Sequence, residues 1–139
     1  MTKIEEFFRR YEEGANTFDP DLMKSLYTET FMGADPNGAA CIQNDEKFRE
    51  AIPQRKEFFR QIGFRSAKVL NIAETPLDDH YTMAKVHWQM IFEKDAGKPQ
   101  EFKFYITYFL FDPGEGPQVA FYISHDDEQK IMRDAGLIE

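Results

Sequence analysis

Apolar residues recur at helical intervals from the start of the chain: Ile4, Phe7, Phe8, Tyr11 and Ala15 fall on one stripe, with Arg9, Arg10, Glu12 and Glu13 opposite. Thr2 and Glu5 stand ahead of them in capping-box spacing, so the pattern predicts an amphipathic helix. Asp19-Pro20-Asp21 then supplies an N-cap with proline at the first helical position, and Leu22, Met23, Leu26 and Tyr27 give a short second helix its apolar face. Thr28 to Ala34 reads as a short strand, and Asp35-Pro36-Asn37-Gly38 places each residue where a type I turn prefers it. Asn44 can cap a third helix, in which Phe48, Ala51, Ile52, Phe58, Phe59 and Ile62 keep the helical period up to Gly63 at C′. Pro53 inside that helix has no N–H for the preceding turn and predicts a break or kink.

From Phe64 the periodicity changes to two. The runs Phe64 to Glu74, Tyr81 to Phe92, Glu101 to Phe111 and Gln118 to Ser124 are rich in β-branched and aromatic residues and are parted by short segments of turn formers. Short connections predict an antiparallel meander, and a last helix carrying Ile131, Met132 and Ala135, capped by Ser124 or Asp126, ends at Gly136. Helices first and strands afterwards make an α+β fold, expected as one domain over residues 1–139 with the helices on one sheet face. In the second β run Ala84, Val86, Trp88, Met90 and Phe92 alternate with Lys85, His87 and Gln89, so the even positions face inward. The third run is apolar on both parities. The helices cover one face, so the other is expected to meet a second subunit, giving a homodimer through the outer sheet face.

Charge narrows the partners. Lys and Arg number 17 against 25 Asp and Glu, a net charge of −8, which leaves no source for the phosphate neutralisation that nucleic-acid or anionic-membrane binding needs. The apolar run from Phe104 to Phe111 is far below the ~20 residues that span a bilayer. The first residues lack the apolar region of a signal peptide and the single cysteine, Cys41, has no partner for a disulfide, so a cytoplasmic location is expected. No Gly-rich phosphate loop, Gly-x-Ser-x-Gly or zinc spacing is present, and no cofactor or metal is expected. Tyr11 reads either as a core tyrosine with a buried acceptor or as a donor in a cavity, and Asp35 either as a turn residue or as a general base. Trp88 faces inward as core or pocket wall, His87 falls on the outer surface, and His125 either caps a helix or reaches a cavity mouth.

The order of these elements, with Tyr11 in the first helix, the Asp19-Pro20-Asp21 start, the Asp35-Pro36-Asn37-Gly38 turn and the long third helix before a curved meander, resembles the nuclear transport factor 2-like superfamily. That superfamily is the cone-shaped α+β fold of ketosteroid isomerases, scytalone dehydratases and polyketide cyclases. The resemblance implies that Tyr11 donates to a developing enolate oxygen and that Asp35 is the base. Where the isomerases keep a second, protonated aspartate this chain has Thr107, a weaker donor. The same placement turns Tyr105, Thr107 and Phe109 inward. The expected cavity, between helix 1, helix 3 and the inner sheet face, is thus lined by Tyr11, Asp35, Trp88, Tyr105, Thr107 and Phe109. It would take a mostly apolar, oxygen-bearing ligand, with cofactor-independent proton transfer if it is catalytic; a non-catalytic interaction domain with a filled cavity is the alternative.

Overall fold

The capping box forms as the spacing requires: in the computed structural model, which describes residues 1–139, Glu5 N donates to Thr2 Oγ1 at 3.1 Å and Thr2 N donates to Glu5 Oε1 at 3.3 Å. Helix α1 runs over Lys3–Thr17 and ends where Phe18 turns left-handed, at φ 55°. Such a backbone costs a residue with a side chain about 1–2 kcal/mol. It is held because the Phe18 ring is buried edge-on against Phe59 and Phe64, with centroids 5.6 Å away in each case. Helix α2, Pro20–Ser25, starts on the Asp19 carboxylate, which accepts from Asp21 N and Leu22 N. Tyr27, expected at the end of that helix, instead opens strand β1, Tyr27–Asp35.

The turn at Asp35 to Gly38 leads into a strand that the apolar pattern does not signal, β2, Gly38–Gln43, paired antiparallel with β1. Helix α3, Glu46–Gln61, is capped by Asp45 and not by Asn44. The Asn44 amide donates instead to the Lys24 and Tyr27 carbonyls, tying α2 to β1. The helix runs unbroken through Pro53. Strands β3 (Phe64–Pro76), β4 (Tyr81–Asp95), β5 (Lys98–Phe111) and β6 (Gln118–Ser124) form the expected meander, and α4, Glu128–Asp134, is capped by Asp127 in place of Ser124 or Asp126. The sheet has six strands in the order β2-β1-β6-β5-β4-β3, closed in its middle by a parallel pairing of β1 with β6. This is the α+β architecture expected, with the N-terminal helices on one face. No helix is long and apolar enough to cross a membrane.

Strand β4 has the expected phase: Ala84, Val86, Trp88, Met90 and Phe92 are all buried. Strand β5 has the opposite phase from the one expected. Trp88 pairs with Phe104, Val86 with Ile106 and Ala84 with Tyr108, and directly opposed residues share a face. Phe104, Tyr108 and Leu110 are therefore in the core, and Tyr105, Thr107 and Phe109 lie on the other side of the sheet.

Candidate functional site

Between α1, α3 and the inner sheet face the core leaves a cavity of about 270 Å³. Its floor is a set of phenols brought from four elements. Tyr11 projects from α1 beside the Tyr27 hydroxyl at the start of β1, and the two form a hydrogen bond. Tyr108 comes from β5, where its hydroxyl accepts from Trp88 Nε1 at 3.0 Å, and its ring lies 5.4 Å from that of Tyr11. Tyr122, from β6, lies across Gly33 of β1 so closely that a Cβ there would sit 2.6 Å from its Oη. A side chain at 33 would have to displace that phenol. The walls are apolar, with Phe18, Phe48, Ile52, Phe59 and Met90 among them.

Burial pushes the Tyr11 phenol up to about 12, with hydrogen bonds from Tyr27 and Tyr108 working against it. Burial raises Tyr27 and Tyr108 well above the ordinary phenol value, and Tyr122 is raised by the same cause. At neutral pH all four are hydroxyls, able to donate and accept hydrogen bonds but not to act as bases.

Two charged groups line this cavity, Arg55 of α3 and Glu128 of α4. The Arg55 guanidinium lies over the Phe59 ring at 4.5 Å. The Glu128 carboxyl is half-buried and held above the usual carboxylate range, first by that burial and then by Asp126 and Asp35, against the pull of Arg55. Neither group enters an ion pair.

Of the residues singled out from sequence, Tyr11 and Trp88 line the cavity. Asp35 is exposed at the β1–β2 turn, where its Oδ1 accepts from Asn37 N at 2.8 Å. The Thr107 hydroxyl is hydrogen-bonded to His125 Nε2 at 2.7 Å on the outer side of the sheet, so His125 neither caps a helix nor reaches the cavity mouth. Tyr105 stacks on His87 at 4.2 Å, and Phe109 packs against Phe121 at 5.3 Å. Three of the six expected lining residues thus follow the reversed phase of β5 out of the cavity. Glu128 and Arg55 were missed because a Glu in the first turn of a helix and an Arg on a polar helix face both read as solvated. Tyr108 was hidden as well: the turn pairs Asp95 with Lys98, a parity that would set Phe109 opposite Ala84, and a bulge between Phe92 and Asp95 brings Tyr108 there instead. No group of three or more His, Cys, Asp or Glu side chains converges on a metal-sized site.

Residues 2–127 match the family described as NTF2-like protein (DUF6841). An NTF2-like protein of unknown function from Shewanella oneidensis is 18% identical in sequence, with 89% of this chain and 97% of that one covered at a TM-score of 0.65. An NTF2-like protein with a cystatin-like fold from Novosphingobium aromaticivorans covers 99% of this chain and 87% of its own at 14% identity and a TM-score of 0.73. A nuclear transport factor 2-like superfamily protein from Salmonella enterica is 16% identical over 87% of this chain and 86% of that one, with a TM-score of 0.62. At these identities the likeness is one of fold. No curated protein matches the chain.

Proposed function

This chain belongs to the NTF2-like protein family (DUF6841), and we propose that its cavity binds a small, mostly apolar molecule carrying an oxygen that accepts from the Tyr11 hydroxyl. The observation that carries this reading is the Tyr11 hydroxyl in an apolar cavity, hydrogen-bonded to the Tyr27 hydroxyl. When Tyr27 donates to Tyr11, the Tyr11 proton is left for an acceptor in the cavity. That arrangement suits a ketone, ester or ether oxygen in otherwise apolar surroundings. Proton-transfer catalysis on such a ligand would need a base in the cavity: Asp35 keeps its carboxylate in the turn, and the one carboxyl that lines the cavity is that of Glu128.

The neutral ketone dye 6-propionyl-2-dimethylaminonaphthalene (prodan) tests this by its fluorescence on titration with protein. We expect saturable binding that weakens by about 2- to 10-fold in Tyr11→Phe, the worth of one hydrogen bond. Tyr105→Phe, a phenol on the other side of the sheet and outside the cavity, serves as the control and should keep the dye affinity. Absence of saturable binding, or an affinity untouched by Tyr11→Phe, overturns the reading.

A second observation supports dimerisation through the opposite face of the sheet. Phe109, Phe121 and Ile123 are only half-buried there, Met32 is 36% exposed and Tyr105 42% exposed, a continuous apolar surface across β1, β6 and β5. Sedimentation at micromolar concentration is expected to give twice the chain mass; a mass near 16.3 kDa would show the face to be uncovered.

A further inference from the structure

Arg55 and Glu128 face the same cavity from α3 and α4, and no ion pair within 4.0 Å joins them, so the Arg55 guanidinium is not engaged by a carboxylate of the chain. Arg55 is exposed at one end, and its guanidinium rests over the Phe59 ring, which itself lines the cavity. A guanidinium there presents a flat fork of N–H donors whose spacing matches the two oxygens of a carboxylate. Glu128, at the start of α4, lines the same cavity. Its carboxyl accepts no hydrogen bond from the chain, and only burial and the charges of Arg55, Asp126 and Asp35 act on it.

Resting on the pocket reading above and naming its ligand class, we infer that the mouth of this cavity binds the carboxylate of a small apolar acid on the Arg55 guanidinium, with the Glu128 carboxyl lining the same cavity. Arg55 is the one cationic side chain that lines the cavity and no carboxylate of the chain pairs with it, so an anionic headgroup finds a free guanidinium there. An amine would have to sit beside that guanidinium. The carboxylate end lies at the mouth and the apolar body runs inward over the aromatic walls, where a second oxygen can reach Tyr11.

Binding of an anion at this point is linked to protons. The groups around Glu128 are Arg55 from α3, Asp35 from the β1–β2 turn, Asp126 from the loop before α4, Tyr122 and Tyr108 from the sheet, and Lys103 across the adjoining cleft, which is engaged with Glu101 at 3.2 Å. A ligand carboxylate adds one more negative charge beside Glu128 and favours its protonated form further, so the complex holds a proton that the free protein loses first as pH rises. The affinity is accordingly highest at low pH and falls as pH rises through the Glu128 titration, by at most tenfold per pH unit for one linked proton.

The experiment uses four naphthalenes that share one ring system: 2-naphthoate, 2-naphthamide, 2-naphthalenemethanol and 2-naphthylmethylamine, titrated calorimetrically into the full chain and in competition with prodan, between pH 5.5 and pH 8. We expect 2-naphthoate to bind at least tenfold more tightly than the amide or alcohol at pH 6, and the amine most weakly. Arg55→Gln, at an exposed position, should lower naphthoate affinity by about 10- to 100-fold and leave the alcohol unchanged. Glu128→Gln should keep naphthoate binding and flatten its pH dependence, because the amide still donates but no longer titrates. If the alcohol and amide bind as tightly as naphthoate, the pocket stands and the carboxylate assignment falls. A preference for the amine, an Arg55→Gln variant with native naphthoate affinity, or an unchanged pH dependence in Glu128→Gln also overturns it. Failure of every naphthalene and of prodan to bind removes the pocket reading along with it.

Discussion

Gly63→Ala is expected to lower the stability of the fold by about 2–5 kcal/mol, the strain of a left-handed residue added to the loss of a backbone hydrogen bond. Gly63 closes α3 at φ 84°, and its carbonyl accepts from Glu93 N at 2.7 Å, so the end of the helix is stitched to β4. A Cβ at this position would lie 2.3 Å from the Glu93 carbonyl oxygen and 2.6 Å from Lys94 N. Both are main-chain atoms that cannot rotate away. Gly97 provides the comparison, since it too is left-handed, at φ 79°, but a Cβ there would meet nothing within 4 Å. Gly97→Ala should therefore cost only the conformational part, about 1–2 kcal/mol. Chemical denaturation of the two variants separates the effects, and equal losses would mean that the strand yields to the methyl group without cost.

Phe92→Ala is expected to cost about 3–5 kcal/mol, as deletion of a fully enclosed aromatic ring does when the surroundings close only partly over the void. Phe92 has no exposed surface and stands at the narrow end of the sheet, with Phe59, Phe64 and Phe102 at ring distances of 5.5, 5.6 and 5.8 Å. It does not line the cavity, so the fraction that stays folded should bind prodan with native affinity. The neighbouring Phe58, 45% exposed on the outside of α3, should tolerate alanine within about 0.5 kcal/mol. A Phe92→Ala midpoint in urea equal to that of Phe58→Ala would contradict the assignment of this cluster as the structural end of the molecule.

These two sites also mark what could be read from the chain. Gly63 was expected as a helix C′ residue from its place after Ile62, and the inward face of β4 followed from strict alternation of apolar and polar residues. Where both parities are apolar, as in β5, alternation carries no phase information, and the phase taken from the family resemblance was the wrong one of two. The parity of the hairpin turn would have repeated the error, because Asp95 pairs with Lys98 and only a bulge between Phe92 and Asp95 gives Ala84, Val86 and Trp88 even-numbered partners across the ladder. Strand β2 was invisible for another reason. Gly38, Ala39, Ala40 and Cys41 are small, exposed residues with little preference for extended structure, and they pair only because β1 lies beside them. The charged mouth of the cavity was hidden in the same sense: nothing local distinguishes Glu128 from any solvated acid, and its burial comes from elements far away in sequence.

The parallel contact between β1 and β6 has a kinetic consequence. Met32 lies opposite Phe121 and Ala34 opposite Ile123, 89 residues apart in each case, whereas the β3 to β6 meander assembles from neighbours in sequence. Closing so long a loop costs more chain entropy than closing a hairpin, and contacts of this span slow folding. On the ribosome the first hairpin and its helices are made long before β6 exists, and they must wait for it with an unsatisfied strand edge. Tyr11 and Tyr27 belong to that early half, Tyr108 and Tyr122 to the late one. The phenol cluster is thus assembled only when the last strand docks, and a chain stalled before that step has its three N-terminal helices and no binding site.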